Sequence, residues 1–92
     1  MDEELILSLV KERLGIRSSV RDTYLSAIVS GIIAELEREQ GVVLDSANPA
    51  HLMFCVDFAT WRYTSRDESG AIPRHLQFRL HNLIISAGGE PS

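Results

Sequence analysis

The stretch from Pro49 to Arg66 constrains the fold most, because apolar side chains surround almost its whole circumference when it is drawn as a helix. Asn48 and Pro49 are typical of a helix N-cap and a first helical residue. Only a narrow edge that includes Asp57 and Thr60 is polar. A helix that is apolar all round is a buried one, so the rest of the chain must be able to cover it.

Three further segments have helical periodicity and can supply that cover. In each of them apolar residues recur at three- and four-residue spacing, and glycine or proline marks a boundary. We therefore predict an all-α fold, a small bundle of four helices at about 2–14, 20–40, 49–66 and 73–86 with short connectors. At 92 residues the chain is one helical domain, 1–92, with a short flexible C-terminal tail over 87–92.

Local signals predict how these helices are joined. Gly15 stops the first helix, and Ser18 or Ser19 is expected to cap the second. The segment 41–48 has too few apolar residues to form a strand. We therefore expect an extended connector whose apolar residues cover one end of the core. The turn between the third and fourth helices is short, which favours an antiparallel pair.

The second helix has two apolar sides to bury. Its first side carries Val20, Tyr24, Ala27, Ile28 and Gly31, and its second carries Leu25, Val29, Ile32, Ile33 and Leu36. The helix therefore either lies centrally in the fold or lends one side to another chain. Gly31 in mid-helix costs ~1 kcal/mol relative to Ala, which close packing of a neighbouring backbone would explain.

The fourth helix also has apolar residues on two sides. Leu76, Leu80, Leu83 and Ile84 form its core stripe, whereas Phe78 and Ile85 point the other way among Arg74, His81 and Asn82. An apolar pair rimmed by Arg is typical of a partner-binding surface. The alternative is that the second helix or the connector simply covers Phe78.

Charge and side-chain chemistry argue against an enzyme or a DNA-binding protein. The net charge is −4, from 13 acidic and 9 basic residues, and the acidic loop containing Asp67 and Glu68 would repel phosphate. His51 and Cys55 lie four apart, but no further metal ligand is near them in the sequence, and a buried structural cysteine is expected instead. No catalytic residue, cofactor or metal is predicted.

The first residues and the cysteine content indicate the cellular compartment that we expect for this protein. The acidic start, Met1-Asp-Glu-Glu, is unlike a secretory leader, and no apolar run approaches the ~20 residues of a membrane span. The lone Cys55 fits a reducing cytoplasm. We expect a cytoplasmic product without a membrane partner.

Several segments resemble a known family. These are HLMFCVDFATWRY at 51–63, RDES at 66–69, PRHLQFRLHNLII at 73–85 and ELEREQG at 35–41. Together they resemble the small head-tail connector, or head-completion, proteins of long-tailed bacteriophages and prophages. The likeness covers most of the chain, but these segments are not a catalytic signature.

The resemblance implies a structural virion component in the phage neck, made in the bacterial host cytoplasm. Its subunits would form a ring, expected to be dodecameric, beneath the portal protein and above downstream neck and tail proteins. DNA would pass through the ring without sequence-specific binding. By the same resemblance Arg66, Asp67 and Glu68 would lie in a loop that meets a neighbour or the channel. Intersubunit or portal contacts would fall to Arg74, Phe78, Arg79 and Ile85.

One departure from the family affects portal docking. Longer relatives carry a C-terminal extension thought to engage the portal, whereas only SAGGEPS follows Ile85 here. A second hypothesis is kept beside the connector, namely a small helical regulatory or DNA-associated protein that acts as a homodimer. Portal-dependent ring formation and salt-sensitive DNA binding separate the two hypotheses.

Overall fold

The computed structural model describes residues 1–45, 47–65 and 72–88, with side chains up to residue 85. Its described part contains four α-helices: α1 (Glu3–Leu14), α2 (Asp22–Ala34), α3 (Pro49–Thr64) and α4 (Arg74–Gly88). No strand occurs within these ranges. The prediction of an all-α bundle of four helices is confirmed. Helix α3 ends at Thr64, two residues before the predicted end at Arg66, which lies outside the described residues, and α4 extends two residues past its predicted end at 86.

The ends of α1 and the start of α3 follow the predicted signals. Asp2 caps α1 by accepting the Leu5 backbone N–H at 3.1 Å. Gly15 ends that helix with a φ of 74°, a left-handed conformation that glycine adopts without strain. Asn48 caps α3 by accepting the Ala50 N–H at 2.9 Å, with Pro49 as the first helical residue.

The predicted serine cap of α2 is wrong. The helix begins at Asp22, and the residue at its N-cap is Arg21, whose side chain makes no capping bond. Asp22 instead binds Lys11 of α1, with 2.6 Å between Oδ1 and Nζ. A carboxylate in the first turn of α2 complements the helix dipole, so the ion pair both favours this start and ties α2 to α1.

The second predicted helix does not stay α-helical to its end. Glu35–Glu39 form a π-helical turn, in which the Gln40 N–H donates to the Glu35 carbonyl at 3.1 Å. The chain then leaves the helix at Gly41, whose φ is 70°, and the Val42 N–H donates to the Leu36 carbonyl. Val42 is buried as a result, and Leu44 follows it into the core, which confirms the role predicted for this connector at these two residues, whereas Val43 is exposed.

Helix α3 is the centre of the bundle. It packs against α1, α2 and α4, and its Phe54, Cys55, Val56, Phe58 and Ala59 are almost fully buried. The rings of Phe54 and Phe58 lie 5.5 Å apart between centroids. Burial is not complete on every side, however, because the Met53 side chain is exposed and Trp61 only half-buried. The prediction of a wholly buried helix is therefore wrong on one side, because the three neighbouring helices do not cover the whole circumference of α3.

Helix α4 lies antiparallel to α3, as predicted. One cleft joins the start of α3, at His51, to the later part of α4, at Asn82 and Leu83. A second cleft joins Thr64, near the end of α3, to His75 near the start of α4. Among the described residues α4 packs against no other helix, so its outer side faces away from the bundle.

Candidate protein-protein interface

The outer side of α4 carries the most exposed aromatic residue of the described chain. Phe78 is 66% exposed and Ile85 is 51% exposed, and the two lie seven residues, or two turns, apart. Residues at this spacing share one side of a helix, and Arg74 and His81 lie on it with them. The alternative that α2 or the connector covers Phe78 is therefore wrong, whereas Leu76 and Leu83 point into the core as predicted.

A second apolar surface lies on α2 and on the residues just before it. Val20 is 85% exposed and Tyr24 is 45% exposed, while Ala27 and Gly31 continue the same side at helical spacing. The opposite side of α2 is the buried one, through Leu25, Val29, Ile32 and Ile33. The helix is therefore not buried on both sides, and a contact of its exposed side with another chain stays a prediction.

Gly31 lies at an open position on this α2 surface. No heavy atom of the rest of the fold lies within 4 Å of the place where a Cβ at Gly31 would stand. The expected packing of a neighbouring backbone on Gly31 does not occur within the described chain. Gly31 is therefore an exposed mid-helix glycine with open space where a side chain would stand.

Arg79, a predicted contact residue, is bound within the fold. Its Nη1 lies 2.7 Å from Oδ2 of Asp57, and its guanidinium lies 5.4 Å from the centroid of the Phe54 ring. The other Asp57 oxygen accepts from Arg13 of α1. Arg79 therefore holds α4 against α3, and a partner contact by Arg79 stays a prediction.

The remaining predicted contact residues divide into two groups. Arg74, Phe78 and Ile85 are exposed together on one side of α4, as their spacing predicts. The loop residues Arg66, Asp67 and Glu68 lie outside the described residues. The α2 surface was not among the predicted contact residues, although the three- and four-residue spacing of Val20, Tyr24, Ala27 and Gly31 had placed them on one apolar side of the helix.

His51 and Cys55 both have structural roles in the fold. Nδ1 of His51 accepts the Asp45 backbone N–H at 3.0 Å, which fixes the connector to the start of α3. Cys55 is fully buried, and burial raises the pKa of its thiol to about 11. Within the described ranges no three His, Cys, Asp or Glu side chains gather as a metal site would require, and no helix there is long and apolar enough to cross a membrane.

Comparison with known proteins does not assign the chain to a family. No family model matches it, and no similar curated protein or solved structure was found. The exposed apolar surfaces on α2 and α4 are therefore the structural features that bear on function.

Proposed function

We propose that this chain is a structural subunit of a phage head-tail connector, which assembles into a ring beneath the portal and continues the DNA channel toward the tail. The observation that carries the proposal is the pair of unlike apolar surfaces on α2 and α4. The resemblance of the segments at 35–41, 51–63, 66–69 and 73–85 to connector proteins supplies the specific role.

Two different surfaces on one subunit favour a ring over a simple dimer. A two-fold dimer uses the same patch on both copies, whereas a head-to-tail contact joins two different patches and leaves one of each free for further subunits. The α4 surface contains the protruding Phe78, whereas the α2 surface extends from Val20 to Gly31 and has no exposed side chain at Gly31. Subunits joined in this way close into a ring when the rotation between neighbours divides a full turn.

The charge of the chain supports passage of DNA without capture. The net charge is −4, and the first turn of α1 is acidic through Glu3 and Glu4 beside its Asp2 cap. A surface with excess negative charge repels phosphate, so DNA would not be held during transit.

The decisive experiment measures assembly with the portal protein encoded by the same phage. We expect the chain to join portal rings as a ring of its own, which light scattering detects as added mass and negative-stain electron microscopy shows as a stacked disc. Buffer with 0.5 M salt is the control for adventitious charge contacts. Failure to join the portal, together with a stable dimer that binds DNA in a salt-sensitive manner, would establish the regulatory alternative instead.

A further inference from the structure

We propose that α4 of one copy packs antiparallel on α2 of a second copy, with Phe78 seated over Gly31. This inference rests on the proposed function in one respect only, since it describes how neighbouring ring subunits would meet. The partner is a second copy of this chain, and the contact is head-to-tail because it joins two different surfaces. Both surfaces are available, since α2 and α4 do not pack on one another within the described part of one chain.

The spacing of side chains on the two surfaces fits only one direction of α4. Phe78 and Ile85 lie four and eleven residues after Arg74, and Gly31 and Tyr24 lie four and eleven residues before Glu35. At 1.5 Å per residue, both sets have steps of about 6 Å and about 10.5 Å. An antiparallel pair thus aligns Arg74 with Glu35, Phe78 with Gly31, and Ile85 with Tyr24.

The shapes of the two surfaces are complementary in that alignment. Phe78 projects from α4, whereas the space above Gly31 is open and the exposed neighbour Ala27 is small. A large side chain that enters a hollow between small residues is how helices pack closely. Ile85 then lies against the ring of Tyr24, where both are about half exposed in the single chain.

The charges are complementary as well. No acidic residue occurs in α4 from Arg74 to Gly88, whereas α2 leads into the turn of Glu35, Glu37 and Glu39, in which Arg38 is the one basic residue. Glu35 binds Arg62 at 3.3 Å and its side chain is still 31% exposed, so the carboxylate can accept a second guanidinium. Arg74 is exposed at the position that meets Glu35.

Other arrangements lose one of these matches. A parallel pair with Phe78 over Gly31 would place Ile85 beside Arg38 and Arg74 beside Ala27, with no opposite charge aligned. A two-fold contact of α4 with α4 would give Arg74 no carboxylate, because α4 has none. The antiparallel contact is the arrangement in which shape and charge agree.

Mixing two defective variants tests this contact directly. Gly31→Leu fills the hollow on α2 but keeps the α4 surface, and Phe78→Asp removes the projecting ring but keeps the α2 surface. Neither position packs against the rest of the described fold, so both variants are expected to fold. Sedimentation velocity should find each variant monomeric alone and a one-to-one dimer in the mixture. A mixture that remains monomeric, or a variant that assembles alone as the wild type does, overturns the proposal.

Cross-linking gives a second measurement that also detects weak association. Gly31→Cys mixed with Phe78→Cys should form a disulfide heterodimer on mild oxidation, because buried Cys55 does not compete. Ser26→Cys replaces Gly31→Cys as the matched control, since Ser26 is exposed on another side of α2. Equal cross-linking of the control overturns the register.

The outcomes separate this inference from the proposed function. Wild-type rings that form on the portal while the variant mixture stays monomeric would leave the connector role standing and remove the α2–α4 contact. A one-to-one variant dimer together with no binding to the portal would support the contact and remove the connector role.

Discussion

Arg79 on α4 and Asp57 on α3 form an ion pair with 2.7 Å between Nη1 and Oδ2. The Asp57 side chain is 19% exposed, and its second oxygen accepts from Arg13 at the end of α1. One carboxylate therefore connects three helices. Since α4 packs on α3 alone among the helices of the described chain, this pair helps to fix how α4 presents its outer surface.

Asp57→Asn should destabilise the fold by about 1 kcal/mol, because it weakens two charge-assisted hydrogen bonds of a mostly buried carboxylate to the half-exposed Arg13 and Arg79. Urea unfolding at pH 7 measures the loss. Glu12→Gln is the control, since Glu12 is an exposed carboxylate on α1, and a change within about 0.5 kcal/mol is expected there. Similar losses for both variants would mean that Asp57 acts only through the overall charge.

Phe78 and Phe54 make a matched pair for testing exposure. Phe78→Ala should change the free energy of unfolding by less than about 0.5 kcal/mol, because its ring is mostly in water. Phe54→Ala should cost about 3–5 kcal/mol, because this ring is 2% exposed in the core. Thermal unfolding at low protein concentration measures both without a contribution from assembly. A large loss at Phe78 would mean that the ring is covered within the chain.

Gly31 and Gly15 should respond to alanine with opposite signs. Gly31→Ala should raise the stability of the monomer by about 0.5–1 kcal/mol, since α2 gains helix propensity and the new methyl meets open space. Gly15→Ala should lower it by about 1 kcal/mol, because a φ of 74° disfavours a residue with a Cβ. Chemical denaturation of the two variants side by side gives both signs. A loss of stability at Gly31 would indicate packing on that side.

Cys55 should be unreactive until the fold opens. Its raised pKa of about 11, against 9.0 for the unperturbed thiol, lowers the thiolate fraction at pH 8 about a hundredfold, and burial blocks access. Reaction with a thiol-specific chromogenic disulfide should be slow in buffer and fast in 8 M urea. Rapid reaction under native conditions would contradict the burial.

The same thiol makes stability depend on alkaline pH. The folded pKa lies above the unfolded value, so the native chain holds the proton more tightly, and this contribution is fully present below pH 9. It is lost as the pH rises from about 9 to about 11. Wild type should therefore lose more stability over this window than Cys55→Ala, in parallel urea titrations. Parallel declines of the two proteins would contradict the prediction.

The helix ends differ in whether local sequence or a contact with another helix sets them. Asn48-Pro49 and Gly15 act through neighbouring backbone atoms, so their roles could be predicted from local sequence. The start of α2 could not, because Asp22 binds Lys11, a residue of another helix. The π-helical turn at Glu35–Glu39 was also missed, since Leu36 is the single apolar residue from 35 to 40 and one residue gives no spacing from which to detect a change of helix type.

Among the predicted contact residues, three are exposed on α4 and one is bound within the fold. The spacing of Phe78 and Ile85 placed them together on one side of α4, and the structure leaves that side exposed. Arg79 was assigned to the same role, yet it binds Asp57, whose position depends on how α3 and α4 pack. Spacing along one helix does not give the identity of a partner on the next.

Local patterns along the chain are enough to predict four helices, most of the residues at which they begin and end, and the extra apolar surface on α2 and α4. These properties depend on periodicity and capping within a single helix. Only the tertiary structure decided which apolar side of α2 is buried, and that Phe78 and Gly31 face outward. The burial of a side depends on where the neighbouring helices lie, which no single helix specifies.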